Sequence, residues 1–392
     1  MVSLETLEFL LSDDGSELLR VAKQLHGTLV QRIAALRKRY PADAASAAME
    51  LLDLRDRARK KFTKADEMFF TREALEQASG ESISSYRSER YSPDTRVLEI
   101  GCGIGGDTIH LAKRCFVTAV DSDPIRLKMA ERNAQVYGVA ERVTFVCEKA
   151  GNIQLDADAA FVDPSRRFEG KRSTSLKEMS PSLDFLHKLL RHIPNCGIKL
   201  SPATDDIELE SFGGEIEFIS DSGECKEAVI WLGDLKSASK RATILPKRDT
   251  LVQGRAGQSP LQDPSNYLYE PDPCVIRSHL IDQVAGSIGA GRIDDQIAFL
   301  TSEFLVETPF ARAFRIVESL PFNLRVVNQH LRELDAGRVI VKKRGVPFEP
   351  KDIESRLKKS GRKEYVLVAT RVRGRMWAFI CAYPKKDEQL DT

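Results

Sequence analysis

The sequence predicts an α/β fold: a parallel sheet covered by helices on both faces, with a helical extension before it and a smaller α+β unit after it. Two observations carry this. Between Thr95 and Gly233, short runs rich in Val and Ile alternate with stretches of helical period, the pattern of strands buried on both faces. A turn bearing four glycines, VLEIGCGIGGDT (97–108), leads from the first strand of that alternation into a helix. At 392 residues the chain is long for one domain, so two or three units are expected.

From Ser3 to Tyr91 the apolar residues have helical spacing. Leu18, Leu19, Ala22, Leu25, Leu29, Ile33 and Leu36 form one run, Pro41 breaks it, and a second run ends near Lys61. Thr71 is placed to cap a helix opening at Arg72 and Glu73, directly after Phe69 and Phe70. TRVLEI, FVTAVD, RVTFVC, AAFVDP and CGIKLSP are then expected strands, and IRLKMAERNAQVYG is an expected helix, opened by Pro124 and stopped by Gly138. GGEIEFIS and KEAVIWLG lie a short polar gap apart, so an antiparallel hairpin is expected to finish the sheet.

QGRAGQSPLQDPSN has little to bury and marks a linker. Beyond it, IDDQIAFL and PFNLRVVNQHLRELDAG are expected helices, RVIVKKRG a strand and DIESRLKKSG a helix. EYVLVATRVRG and RMWAFICAYP are two strands turning at Arg373 and Gly374. The expected division is a helical cap at 1–91, a sheet domain at 92–252, a linker at 253–266 and an α+β unit at 267–392.

With 59 basic and 58 acidic residues, overall charge argues neither for nor against nucleic acid. Its distribution says more. Pro321 to Thr392 holds 17 Lys and Arg against 9 Asp and Glu, leaving 42 against 49 before it, so any basic face lies at the C-terminal end. The seven cysteines form no C-x-x-C pair, which predicts reduced, buried thiols rather than disulfides or zinc. The six histidines lie far apart, and no metal is expected. No stretch has the order of a signal peptide or approaches the roughly 18 apolar residues of a membrane span. A cytoplasmic protein is the expectation.

The glycine turn fits two nucleoside ligands. Gly101, Gly103 and Gly106 have dinucleotide spacing, whereas Glu99, Gly101, Gly103 and Gly105 have the E-x-G-x-G-x-G spacing of an S-adenosylmethionine (SAM) turn. Either ligand needs a main chain that can be approached without meeting a Cβ. Asp121 closes FVTAVD 20 residues after Gly101, where a carboxylate can accept hydrogen bonds from two ribose hydroxyls; Asp123, before Pro124, suits the cap of the next helix. Three features favour SAM. Glu99 lies inside a strand end, where a buried carboxylate needs a partner such as the methionine ammonium. The sheet closes in a hairpin, and the fourth strand ends in Asp163-Pro164.

VLEIGCGIGGDT, AVDSDP and VDPSRR resemble motifs of class I SAM-dependent methyltransferases. MFFTREALEQAS ahead of the glycines is similar to the trimethylguanosine synthase-like branch, including a bacterial group with a C-terminal THUMP-like domain. YLYEPDPCVIRSHL, AFLTSE, LPFNLRVVNQHLRELDAGRVIVKKRG and VLVATRVRG resemble that domain, so the resemblance runs from about Met68 onwards. It implies a Rossmann-like, seven-stranded methyltransferase sheet with an N-terminal helical extension and a C-terminal α+β THUMP-like domain. It also implies SAM as cofactor, with Glu99, Gly101, Gly103 and Gly105 around the methionine end and Asp121 at the ribose. Thr71, with Phe70, closes over the cofactor from the N-terminal side. Cys102, Ser122 and Asn152 join the expected cofactor contacts. Phe69 and Phe70 fit plain core packing equally well.

In amino-methylating relatives the fourth strand ends in Asp/Asn-Pro-Pro-aromatic; the acid or amide orients the target amine and the ring stacks on the base. Here Asp163, Pro164 and Ser165 are the expected catalytic residues, while the second proline and the aromatic are absent. Arg166 and Arg167 stand in their place, suited to a phosphate or a carboxylate, or simply solvated. Lys342, Lys343 and Arg344 of VKKRG are expected substrate contacts in the basic C-terminal unit, which the resemblance makes an RNA-binding module. The expected function is methylation of a base nitrogen of RNA. The alternatives are SAM-dependent methylation of a small molecule or protein, and a catalytically inactive RNA adaptor.

Overall fold

The computed structural model describes residues 2–165, 167–168, 171–172 and 176–384. Contacts group the chain into two units, Met1–Ile216 with Glu227–Ser237, and Glu217–Lys226 with Ala238–Thr392.

The first unit opens with α1 (Leu4–Leu11), α2 (Asp13–Gln24), α3 (Leu29–Leu36) and α4 (Ala42–Ala58). Ser3, Ser12 and Thr28 cap the first three by accepting main-chain N–H groups one turn in. The single run expected from Leu18 to Leu36 is two helices: the chain turns extended at Leu25, restarts at Thr28, and leaves Leu29 58% exposed. Small residues on α4, Ala44, Ala45 and Ala48, let α1 and α2 approach closely, and their leucines share one core with Phe69, Phe70 and Met129. Helices α5 (Arg72–Gln77) and α6 (Glu81–Ser88) lead into the sheet.

The sheet elements come in alternation: β1 (Arg96–Ile100), α7 (Thr108–Ala112), β2 (Phe116–Asp121), α8 (Pro124–Val136), β3 (Val143–Cys147) and β4 (Ala159–Val162). A short ribbon, β5 (Arg167–Phe168) with β6 (Lys171–Arg172), precedes α9 (Leu183–His192), β7 (Cys196–Leu200), α10 (Asp206–Glu210), β8 (Glu215–Asp221) and β9 (Glu224–Trp231). Seven strands of a nine-stranded sheet run in the order β3-β2-β1-β4-β7-β9-β8. The first five are parallel and β9 is antiparallel to β7. Every residue of β4 and β7 is buried, as a doubly covered sheet requires. Ile100 is in register with Val120 and with Val162, so the residues after β1, β2 and β4 emerge together at one edge of the sheet, where open α/β sheets bind their ligands.

The second unit contains β10 (Lys240–Leu245) and β11 (Asp249–Val252), a hairpin that the sequence pattern does not announce. It continues with β12 (Tyr267–Pro271), α11 (Pro273–Arg277), α12 (Ile281–Ile288), β13 (Gly291–Arg292), β14 (Leu300–Ser302), β15 (Ala311–Pro321) and α13 (Leu324–Glu333). The last elements are β16 (Ala336–Lys343), α14 (Pro350–Glu354), β17 (Lys363–Val372) and β18 (Arg375–Ala382). Seven of its strands form a sheet in the order β13-β14-β12-β15-β18-β17-β16. β17 and β18 turn at Arg373 and Gly374, both at positive φ, as expected.

Two expectations for this unit are corrected. IDDQIAFL is not a helix. The Asp294 carboxylate accepts the N–H of Gln296 at 2.9 Å and that of Gly374 at 2.6 Å, which ties the segment to the turn at Arg373 and Gly374, while Ile297 and Phe299 turn into the core, so tertiary contacts override the local period. DIESRLKKSG is helical only as far as Glu354. The thiols also differ from expectation: Cys147, ending strand β3 at the edge of the sheet order, is exposed, and Cys225 is half-buried. Among the described residues no helix is long and apolar enough to cross a membrane, and no group of three or more His, Cys, Asp or Glu is placed to hold a metal ion.

Candidate active site

The site is built on the ends of β1, β2, β4 and β7. After β1 the chain turns through Gly101, Gly103 and Gly105 at φ of 82°, 56° and 83°, a region that a Cβ disfavours. A Cβ on Gly101 would lie 2.5 Å from the Asp163 carbonyl oxygen, so only glycine lets this turn touch the end of β4. A Cβ on Gly103 would meet nothing within 4 Å: that stretch of main chain faces open space.

Asp121 spans the turn. Its Oδ2 accepts the Gly103 N–H at 2.9 Å and its Oδ1 the Asp123 N–H at 2.9 Å. Capping of α8 falls to Asp123, which accepts from Ile125 and Arg126. A carboxylate has about four lone-pair directions, so Asp121 retains acceptor capacity beside the open main chain. Burial raises its pKa. Cys102 is buried, which pushes its thiol well up, and its N–H is bonded to Val120 O. Ser122 is exposed. Asn152 is also exposed, and its amide donates to Glu148 at 3.0 Å.

Glu99 is 2% exposed, and its Oε2 has no hydrogen-bond partner. Burial foremost, then the charge of Asp107, pushes its carboxyl up to about 8. Behind it lies a buried ion cluster. Arg87 bonds Asp107, donates to Glu227 at 2.7 Å and to Ser79 at 2.6 Å, and lies over the Phe161 ring. Burial lifts the Glu227 carboxyl to about 7.

Thr71 accepts the Ala74 N–H at 3.2 Å and so caps α5, as its position predicted. Phe69 and Phe70 are 4% and 2% exposed and belong to the helical core. With Thr71, Asp123, Ile125 and Met129 they line a cavity of about 290 Å³.

Asp163 closes the site. Its N–H bonds Ile100 O, and its Oδ2 accepts from Lys199 Nζ at 2.6 Å. Pro164 is buried; Ser165 is exposed and pairs main chain to main chain with Ser180. Sequence reasoning missed Lys199. The available signal was one charged residue inside the otherwise apolar run CGIKLSP. Arg166 and the side chain of Arg167 lie outside the described residues. In the second unit, Lys342 donates to Glu270 at 2.5 Å, Lys343 to Glu349 at 2.6 Å, and Arg344 to the Ala298 carbonyl at 3.1 Å. Arg344 also lies over the Phe299 ring, and burial lowers its pKa.

These features suit a sulfonium nucleoside: an unpaired buried carboxylate oxygen for a cationic amine, a main chain open to close approach, and an aspartate with lone pairs to spare for a ribose. Fold and site thus define a nucleoside-binding α/β architecture of class I type. Residues 94–186 match the RNA cap guanine-N2 methyltransferase family, 311–383 the THUMP domain-like family, and 3–58 a domain of unknown function. An uncharacterised SAM-dependent methyltransferase of Mycobacterium tuberculosis is 30% identical over 321 residues, covering 80% of this chain and 87% of that protein. Trimethylguanosine synthase of Schizosaccharomyces pombe is 32% identical over 130 residues, covering 30% of this chain and 54% of that protein. A crystal structure from Porphyromonas gingivalis W83, of a protein assigned by inference as a methyltransferase, shares the fold with a TM-score of 0.77 at 21% identity, covering 93% of this chain and 96% of that one. The chain belongs to the SAM-dependent methyltransferases, and SAM is its cofactor.

Proposed function

We propose that this methyltransferase acts on a base nitrogen of RNA, with Asp163 orienting the acceptor. The observation that carries this reading is the placement of Asp163, one residue beyond β4, with its main chain against Gly101 of the glycine turn and its carboxylate held by Lys199 at the strand ends. Glu99 holds the cofactor amine, the main chain from Gly101 through Cys102 and Gly103 to Gly105 lies along it, Asp121 takes the ribose, and Ser122 and Asn152 flank the far end. Bound SAM supplies a methyl made electrophilic by its sulfonium. The chain's own contribution is placement: Asp163 accepts a hydrogen bond from an acceptor N–H and turns the nitrogen lone pair toward the cofactor side, while Pro164 stiffens the strand end. Thr71 closes over the cofactor from the N-terminal side, and Ser165 joins Asp163 and Pro164 at the acceptor.

The matches to a cap guanine-N2 methyltransferase family and a THUMP-like family support an RNA acceptor. In this reading 1–91 forms the cap, 92–252 the catalytic domain, 253–266 the linker and 267–392 the RNA-docking domain, and the protein works in the cytoplasm. Two observations favour a small-molecule or protein acceptor instead: the second proline and the aromatic of the motif are replaced by Ser165 and Arg166, and Lys342, Lys343 and Arg344 already have partners within their own unit. Transfer of labelled methyl from SAM to total RNA of a deletion strain separates the two. The wild type is expected to label RNA and Asp163→Ala is not; wild type that binds SAM and leaves RNA unlabelled overturns the RNA reading.

A further inference from the structure

β7 runs Cys196-Gly197-Ile198-Lys199-Leu200 with every position buried. An ammonium in such a strand is unfavourable unless it has a charge partner. The sheet register supplies one. Val162 of β4 pairs with Ile198 of β7, so the next residues, Asp163 and Lys199, stand side by side at the carboxyl ends, with Nζ 2.6 Å from Oδ2. Their side chains are 25% and 11% exposed. Among the described residues no other side chain hydrogen-bonds the Asp163 carboxylate.

The surroundings make this cation matter. Glu99 on β1 and Glu227 on β9 both interact electrostatically with Asp163, whose charge adds to the rise of both. Arg87 on α6 is the other nearby cation, and it is already bonded to Asp107 and Glu227. Lys199 is therefore the group that offsets the acids around Asp163.

We propose that Lys199 is a positioning residue for methyl transfer: it pins Asp163 Oδ2 and leaves Oδ1 to accept an acceptor N–H. This rests on the role proposed for Asp163 as the group that orients the acceptor. A carboxylate oxygen held in place accepts from the N–H and leaves the nitrogen lone pair free for the methyl.

The test uses full-length wild type, Lys199→Met and Lys199→Arg, with SAM binding by calorimetry as the check on the fold. Carboxyl NMR of protein labelled at Asp, assigned through Asp163→Asn, reads the Asp163 hydrogen bond at one fixed pH. Its signal is expected to move in Lys199→Met and to stay near wild type in Lys199→Arg. In RNA labelling, Lys199→Met is expected to lose about 100-fold in kcat with KM changed less than about threefold, and Lys199→Arg to recover most of that loss. An unmoved Asp163 signal, or Lys199→Met working at the wild-type rate, overturns the proposal. If Lys199→Met does not bind SAM, Lys199→Gln takes its place in both arms. Should wild type label no RNA, the RNA reading fails by itself, and the NMR arm still decides whether Lys199 sets Asp163.

Discussion

Glu99 shows how one carboxyl couples cofactor, charge and pH. Its ordinary value near 4.5 is pushed to about 8 by burial, so in the cofactor-free protein it is mostly protonated at neutral pH. A carboxyl raised in the folded state contributes stability that is complete below the unfolded value and lost as pH rises through the folded one. Thermal melts of the cofactor-free protein are expected to show Tm falling between pH 5 and pH 9. Glu227, lifted to about 7, adds a fall of the same sign, so the difference between wild type and Glu99→Gln isolates Glu99. Binding of a cationic amine draws Glu99 to its ionised form. SAM uptake at pH 7 is therefore expected to release protons, read as a dependence of the calorimetric enthalpy on the buffer's ionisation enthalpy, and Glu99→Gln is expected to remove most of it. Gly103→Ala tests the main chain beside it. The added methyl meets no atom of the protein but sits at φ 56°, which predicts a modest stability loss of about 1–2 kcal/mol and, if the cofactor passes over this turn, a larger loss of SAM affinity in the same titration.

At the scale of elements, α6 and the sheet are tied by the Arg87 cluster. Removing the guanidinium while keeping the stem, Arg87→Met, leaves Asp107 and Glu227 buried without their cation. A loss of about 3–5 kcal/mol is expected in urea unfolding. Thr71→Ala removes the cap of α5 and is expected to cost about 1 kcal/mol in the same experiment. IDDQIAFL carries the opposite lesson: helical period in sequence did not make a helix, because tertiary contacts fix the segment, with the Asp294 carboxylate bonded to Gly374, 80 residues away, and Ile297 and Phe299 in the core.

For the whole molecule, the question is which cations meet a polymer. If the basic end of the chain docks RNA, binding weakens with salt, and the log–log slope falls by about 0.7 to 0.9 for each phosphate that is no longer neutralised. Lys343, whose partner Glu349 is 68% exposed, is able to exchange that carboxylate for a phosphate. Lys343→Ala is expected to make the slope shallower by the amount of about one phosphate at unchanged stability. Arg344 is built into its unit through Ala298 and Phe299, so Arg344→Ala is expected to lower the melting temperature.

Chain order alone determined much of this protein. The glycine turn, the acid closing the second strand, the Asp-Pro ending the fourth and the Thr71 cap were all legible, because each depends on local backbone geometry or on strand-to-helix spacing. Tertiary structure decided the rest. Strand register brings Lys199 to Asp163, separated by 36 residues. Packing encloses Glu99 and leaves its Oε2 unpaired, and the second unit's own acids take up Lys342 and Lys343. Spacing specifies which backbone positions can approach a ligand; the partner of a buried charge is set by contacts between strands distant in sequence, and periodicity holds no record of them.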